Sequence, residues 1–154
     1  MPKQIGKISL KKVPVKDFNI LTGIRSALNS ICDANEKYKV FGIKGFLPTH
    51  LDEKWESDDN NSCLTGNAQI AIVLRRFSEL TEPYYMGVSD VFIDAIKKTQ
   101  IVDTEVSEIR GALPRTFPFY DGYNAHAFPN WATKYFADAL LLRNAKHPYI
   151  GILS

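Results

Sequence analysis

The feature that most constrains this chain is a faint internal repeat. Gly45-Phe46-Leu47-Pro48 recurs as Gly111-Ala112-Leu113-Pro114. Each copy opens a loop with an acidic residue followed by an aromatic one: Asp52 and Trp55, then Asp121 and Tyr123. Each loop runs into a small, polar helix start, first Thr65-Gly66-Asn67-Ala68-Gln69 and then Pro129-Asn130-Trp131-Ala132-Thr133. The offset is 111 − 45 = 66 at the front and 130 − 67 = 63 at the back. A period of that length is a supersecondary unit, and such units bury their apolar faces by stacking on one another.

The spacing of apolar residues predicts four helices. The first runs from about Pro14 to Asn35, with Phe18, Leu21, Ile24, Leu28, Ile31 and Cys32 in one stripe. The second, about Thr65 to Leu80, is apolar nearly all round through Ile70 to Leu74 and Phe77, as an inner helix is. After Thr81-Glu82-Pro83, a third helix from about Pro83 to Thr99 sets Tyr84, Val88, Val91, Phe92 and Ile96 against Asp90, Asp94, Lys97 and Lys98. The fourth, about Pro129 to Ala145, is again largely apolar and ends at Pro148 behind Arg143, Lys146 and His147. Trp131 in its first turn is expected to pack in the core. The order is outer, inner, outer, inner, and a long loop precedes each inner helix. The fold class is therefore all-α: two helical hairpins forming one domain over residues 14–148. A flexible basic arm (1–13, with Lys3, Lys7, Lys11 and Lys12) precedes it and a short tail (149–154) follows.

The bulk numbers exclude several function classes. With 154 residues, one domain is expected, and 45% hydrophobic residues suffice for a core. A net charge of +2 gives no global field for nucleic acid, and no apolar run reaches the length of a membrane span. With no signal-peptide core and only Cys32 and Cys63, there is no disulfide framework, so a cytoplasmic setting is expected. The two cysteines are read as small buried apolar residues rather than catalytic thiols. No glycine-rich phosphate loop, nucleophile elbow or paired zinc motif is present, so neither a cofactor nor a metal is expected.

The layout resembles two hairpins of an α/α toroid, in the repeat style of the terpenoid-cyclase, prenyltransferase and glycosidase-like families. The stretches that carry the likeness are Cys63 to Ala71, Gly111 to Pro114 and Phe128 to Leu140. They resemble the C-terminal end of toroid proteins associated with bacterial polysaccharides, over roughly Val15 to Leu142. An Asp-x-Asp-Asp acid motif is missing and no Gly-x-Trp follows Gln100, which leaves isoprenoid cyclase or transferase chemistry as a weaker alternative. Four helices do not close such a ring, so the chain is expected to be a partial toroid, to self-associate, or to collapse into a bundle.

The resemblance implies that the two long loops line a cavity mouth. There, Asp52, Glu53 and Asp121 are the acid–base candidates, with His126 as a proton-transfer candidate, in the manner of paired glycosidase carboxylates. Trp55, Tyr123 and Trp131 are candidates for stacking on a sugar; Asn67, Gln69 and Asn130 for hydrogen bonding at the helix starts; Arg115 and Lys134 for anionic groups. Asn67 and its neighbours have a second expected use, capping the helix and tying the preceding loop. The first functional reading is a saccharide bound or processed at the loop face. The second is a non-catalytic helical interaction module that completes a core with a partner or a second copy. On the first reading, Asp52→Asn and Asp121→Asn abolish turnover of a found substrate and leave the fold intact. Near-normal activity in both variants removes the acid–base proposal.

Overall fold

The computed structural model describes residues 18–122 and 125–145; the basic arm, the expected helix start from Pro14, Tyr123, the expected stop at Lys146 to Pro148 and the tail lie outside them. The four helices are α1 (Phe18–Lys37), α2 (Leu64–Leu80), α3 (Tyr84–Lys97) and α4 (Asn130–Asn144). A small antiparallel ribbon joins β1 (Ser62–Cys63) to β2 (Thr116–Phe117), with Ser62 opposite Phe117 and Cys63 opposite Thr116. The all-α class holds, with this ribbon and a 3-10 turn at Ser107–Ile109 added inside the loops.

The loops and the inner helices keep one register of the repeat. Helices α2 and α4 start 130 − 64 = 66 residues apart. The 63-residue offset at the back is therefore corrected. Asn67 is equivalent to Thr133, not to Asn130, because each sits at the fourth position of its helix. Their side chains do the same work: the Leu47 amide donates to Asn67 Oδ1 at 3.0 Å, and the Leu113 amide donates to Thr133 Oγ1 at 3.0 Å. The loop closures match as well. Thr49 N–H bonds Asn61 O at 2.9 Å, and Arg115 N–H bonds Ala127 O at 2.9 Å. A leucine that enters the core two residues after a left-handed glycine thus delivers its amide to an inner helix, in both copies.

The two glycines differ in surroundings. Gly45 (φ +91°) and Gly111 (φ +82°) both hold the left-handed conformation that side chains resist. A Cβ on Gly45 would also stand 2.6 Å from Val91 O and 2.7 Å from Ala95 Cβ, whereas one on Gly111 would meet nothing. The first loop therefore lies directly on the α3 backbone.

Helix α2 is the centre of the molecule, packed against both α3 and α4. Leu64, Ala68, Ala71 and Leu74 of α2 are fully buried, with Phe92, Ile93 and Ile96 of α3 and Phe136 of α4 around them. Ser89 Oγ donates to Ala71 O at 2.8 Å, and Arg75 meets Asp90 at 2.5 Å, so polar groups also fix α3 on α2. Helix α1 joins through side chains: Tyr85 OH donates to Asn29 Oδ1 at 2.7 Å, Arg25 pairs with Glu82 and its guanidinium lies 5.6 Å from the Phe77 ring centre.

Helix α4 departs from its expected inner role. Only Ala132, Phe136 and Ala139 are buried, while Trp131 is 52% and Leu141 70% exposed. Trp131 is therefore not a core residue. At about 100° per residue, the position that turns Ala132 inward turns its neighbour out.

Two stability predictions follow from the clamp and from the glycine. Asn67→Ala strands the buried Leu47 amide and Ser62 hydroxyl and is expected to cost about 3 kcal/mol in chemical denaturation. Gly111→Ala is expected to cost about 1–2 kcal/mol for the left-handed backbone alone, and Gly45→Ala clearly more because it also clashes with α3. Equal losses for the two glycine variants would contradict the close packing at Gly45.

Candidate functional site

Both long loops end up in one layer beneath the inner helices. The ribbon joins the end of the first loop to the start of the second, and the Leu64 amide that opens α2 donates to Arg115 O at 2.9 Å. Phe46 of the first loop stacks on Phe117 of the second, with ring centres 4.7 Å apart. Asn67 completes the junction. Buried beneath the layer, it donates to Ser62 Oγ at 2.6 Å and to Cys63 O at 2.7 Å while accepting from Leu47. Its hydrogen-bonding groups are used within the fold, the tying role expected beside the ligand role.

The carboxylates build their own turns. Asp52 is exposed, and its Oδ1 accepts from the amides of Lys54 and Glu56, both at 2.8 Å. Asp121 is half-buried; its Oδ1 accepts from the Gly122 amide at 2.7 Å and its carbonyl from Thr116 Oγ1 at 2.8 Å. Asp59 receives both the backbone amide of His50, at 2.9 Å, and its ring Nδ1, at 2.8 Å. Short acidic side chains bonded to amides a few residues away are a common way to fold a polar loop. Glu53 is exposed at the tip of the first loop.

A cleft of about 660 Å³ opens on the first loop. Lys37 and Tyr38 at the end of α1 form one side; His50, Asp52, Glu56, Asp58 and Asp59 form the other. The Tyr38 hydroxyl spans it, accepting from the Ser57 amide at 2.9 Å and donating to Trp55 O at 3.3 Å. Lys37 reaches Glu56 at 3.4 Å. Asp52 lines this cleft; Asp121 and His126 do not. Sequence reasoning missed Tyr38, Lys37 and Asp59 here, because their meeting depends on the loop folding back on α1. Among the described residues, no three His, Cys, Asp or Glu side chains are grouped to hold a metal, and no helix is long and apolar enough to cross a membrane.

Two candidate residues hold unusual backbones. Trp55 (φ +62°) and His126 (φ +66°) are left-handed, as is Phe41 (φ +51°). Bulky residues pay for that conformation, so something else in the protein retains them. His126 is exposed; its amide bonds Phe119 O at 2.9 Å and its ring meets Phe119 edge to face at 5.1 Å. Trp55 is half-buried.

The remaining candidates spread along the inner helices. Gln69 and Asn130 are exposed near the starts of α2 and α4, and Arg115 is half-buried in the ribbon region. Lys134 pairs with Asp138 at 2.6 Å and stands 4.5 Å from the Tyr135 ring centre; its bond to Asp138 holds its ammonium above the ordinary lysine range. Cys32 is buried and burial pushes its thiol up, whereas Cys63 is only half-buried. No family model, curated protein or solved structure matches the chain.

Thiol labelling at neutral pH checks the packing beside the loops. Cys63 is expected to react first, and Cys32 only on unfolding, because its raised pKa and its burial both suppress the thiolate. Rapid labelling of both thiols in the native protein would contradict the described seat of α1.

Proposed function

We propose that the chain is a non-catalytic helical interaction module. The observation that carries this reading lies in the repeat register. The α2 positions covered by its neighbours, Leu64, Ala68, Ala71 and Arg75, correspond 66 residues later to Asn130, Lys134, Ala137 and Leu141 of α4, and all four of these are exposed. One repeat thus uses this edge for packing while the other presents it to solvent. The carboxylates support the same reading, since Asp52 and Asp121 bond amides of their own turns and the cleft that Asp52 lines does not include Asp121.

The experiment is light scattering after size exclusion, together with binding of a dye for exposed apolar surface. Association or dye binding is expected, and Leu141→Glu should weaken either one. A clean monomer that binds no dye would overturn the module.

A second reading keeps a saccharide at the loop face. It is supported by the left-handed backbone of Trp55 and by the exposed Trp131 in the first turn of α4. On this reading Trp55→Gly relieves about 1 kcal/mol of backbone cost, partly offset by lost ring contacts, yet loses binding to an oligosaccharide array. Unchanged glycan binding in both Trp55→Gly and Trp131→Ala, or no glycan binding by the native chain, removes it.

A further inference from the structure

We infer that the partner of the exposed α4 edge is a second copy of this chain, docked head to tail so that its α1 and α2 cover α4 as α3 and α4 cover α2. The inference rests on the module reading and names its partner. Inside the chain the packing template is already built. Helix α4 meets α2 through the face holding Ala132, Phe136 and Ala139. Subtracting 66 gives Gly66, Ile70 and Val73 on α2, the same small-apolar-apolar order, and here the surface is open: Gly66 and Ile70 are half-buried and Val73 is 48% exposed.

Each chain therefore offers one spare edge of each kind. The α4 edge presents Ala137 and Leu141, beside half-buried Leu140, where α2 buries Ala71, Arg75 and Leu74. The α2 edge presents the face that α4 buries. Two edges of one chain that are complementary but not identical make a heterologous contact, which closes into a ring or runs on as a chain.

The composition of both edges makes the contact reversible. Asn130 and Lys134 stand where α2 has Leu64 and Ala68, and on the incoming side Gly66 and Ile70 are already half-buried. The apolar area gained is smaller than inside the chain and its rim is polar, the pattern of interfaces between molecules that also exist apart.

The test uses two substitutions at exposed positions, Val73→Glu and Leu141→Glu, each checked for native helicity and melting. The wild type is expected to show a weight-average mass above 17.4 kDa that rises with concentration. Either variant alone is expected to stay monomeric, since a glutamate forced into an apolar contact weakens binding by about tenfold or more. A one-to-one mixture is expected to form heterodimers, because the intact α4 edge of Val73→Glu accepts the intact α2 edge of Leu141→Glu. A wild type that is monomeric yet binds the apolar dye overturns the head-to-tail contact and leaves the module reading standing; a monomer that binds no dye ends both. Variants that still associate alone, or a mixture that stays monomeric while the wild type associates, also overturn it.

Discussion

Everything in this fold hangs on a buried amide. A leucine that enters the core two residues after a left-handed glycine has an N–H that water no longer reaches, and such a group needs a partner. In each repeat the partner is a side chain at the fourth position of the following inner helix: Asn67 for Leu47 and Thr133 for Leu113. The bond joins the start of a long loop to the helix that the loop leads into. Loops of this length would otherwise carry a large ordering cost. The same few atoms thus set where the loop lies and where the helix begins.

The two copies of this clamp are unequal, and the inequality organises the molecule. Asn67 has both a carbonyl and an amino group, so it also holds Ser62 and Cys63, from which the ribbon to Thr116 and Phe117 is built. Thr133 offers only a hydroxyl and makes the single bond to Leu113 that the repeat requires. The stronger clamp lies under the central helix, where burial makes every polar group costly to leave alone. The weaker one lies under α4, whose outward edge is open.

The loop layer shows how polar residues are divided between structure and surface. Asp52, Asp59 and Asp121 bond amides within their own loops, and Tyr38 ties the first loop to the end of α1. Exposed apolar side chains on the inner helices include Val73, Trp131 and Leu141. The proposed module and its head-to-tail contact rest on the open edges of α2 and α4.

Much of the architecture was legible in the sequence. Helix periodicity is a local property, so the apolar stripes placed all four helices to within a few residues, and the Gly-x-Leu-Pro pair located both loops. Asn67 was read both as a ligand group and as a tie for its loop, and the second role is the one its bonds display. Other features were decided only by tertiary contact. The register of 66 at both ends became visible once Leu47–Asn67 and Leu113–Thr133 showed which helix positions correspond. Trp131 read as core because its helix is apolar, yet which side of a helix is buried depends on where its neighbours stand, and α4 has α2 on one side and solvent on the other. The cleft between Tyr38 and Asp59 likewise joins residues 21 positions apart through a loop that folds back, which no local pattern encodes. Sequence determined the elements and their repeat; packing decided which faces the repeat leaves open.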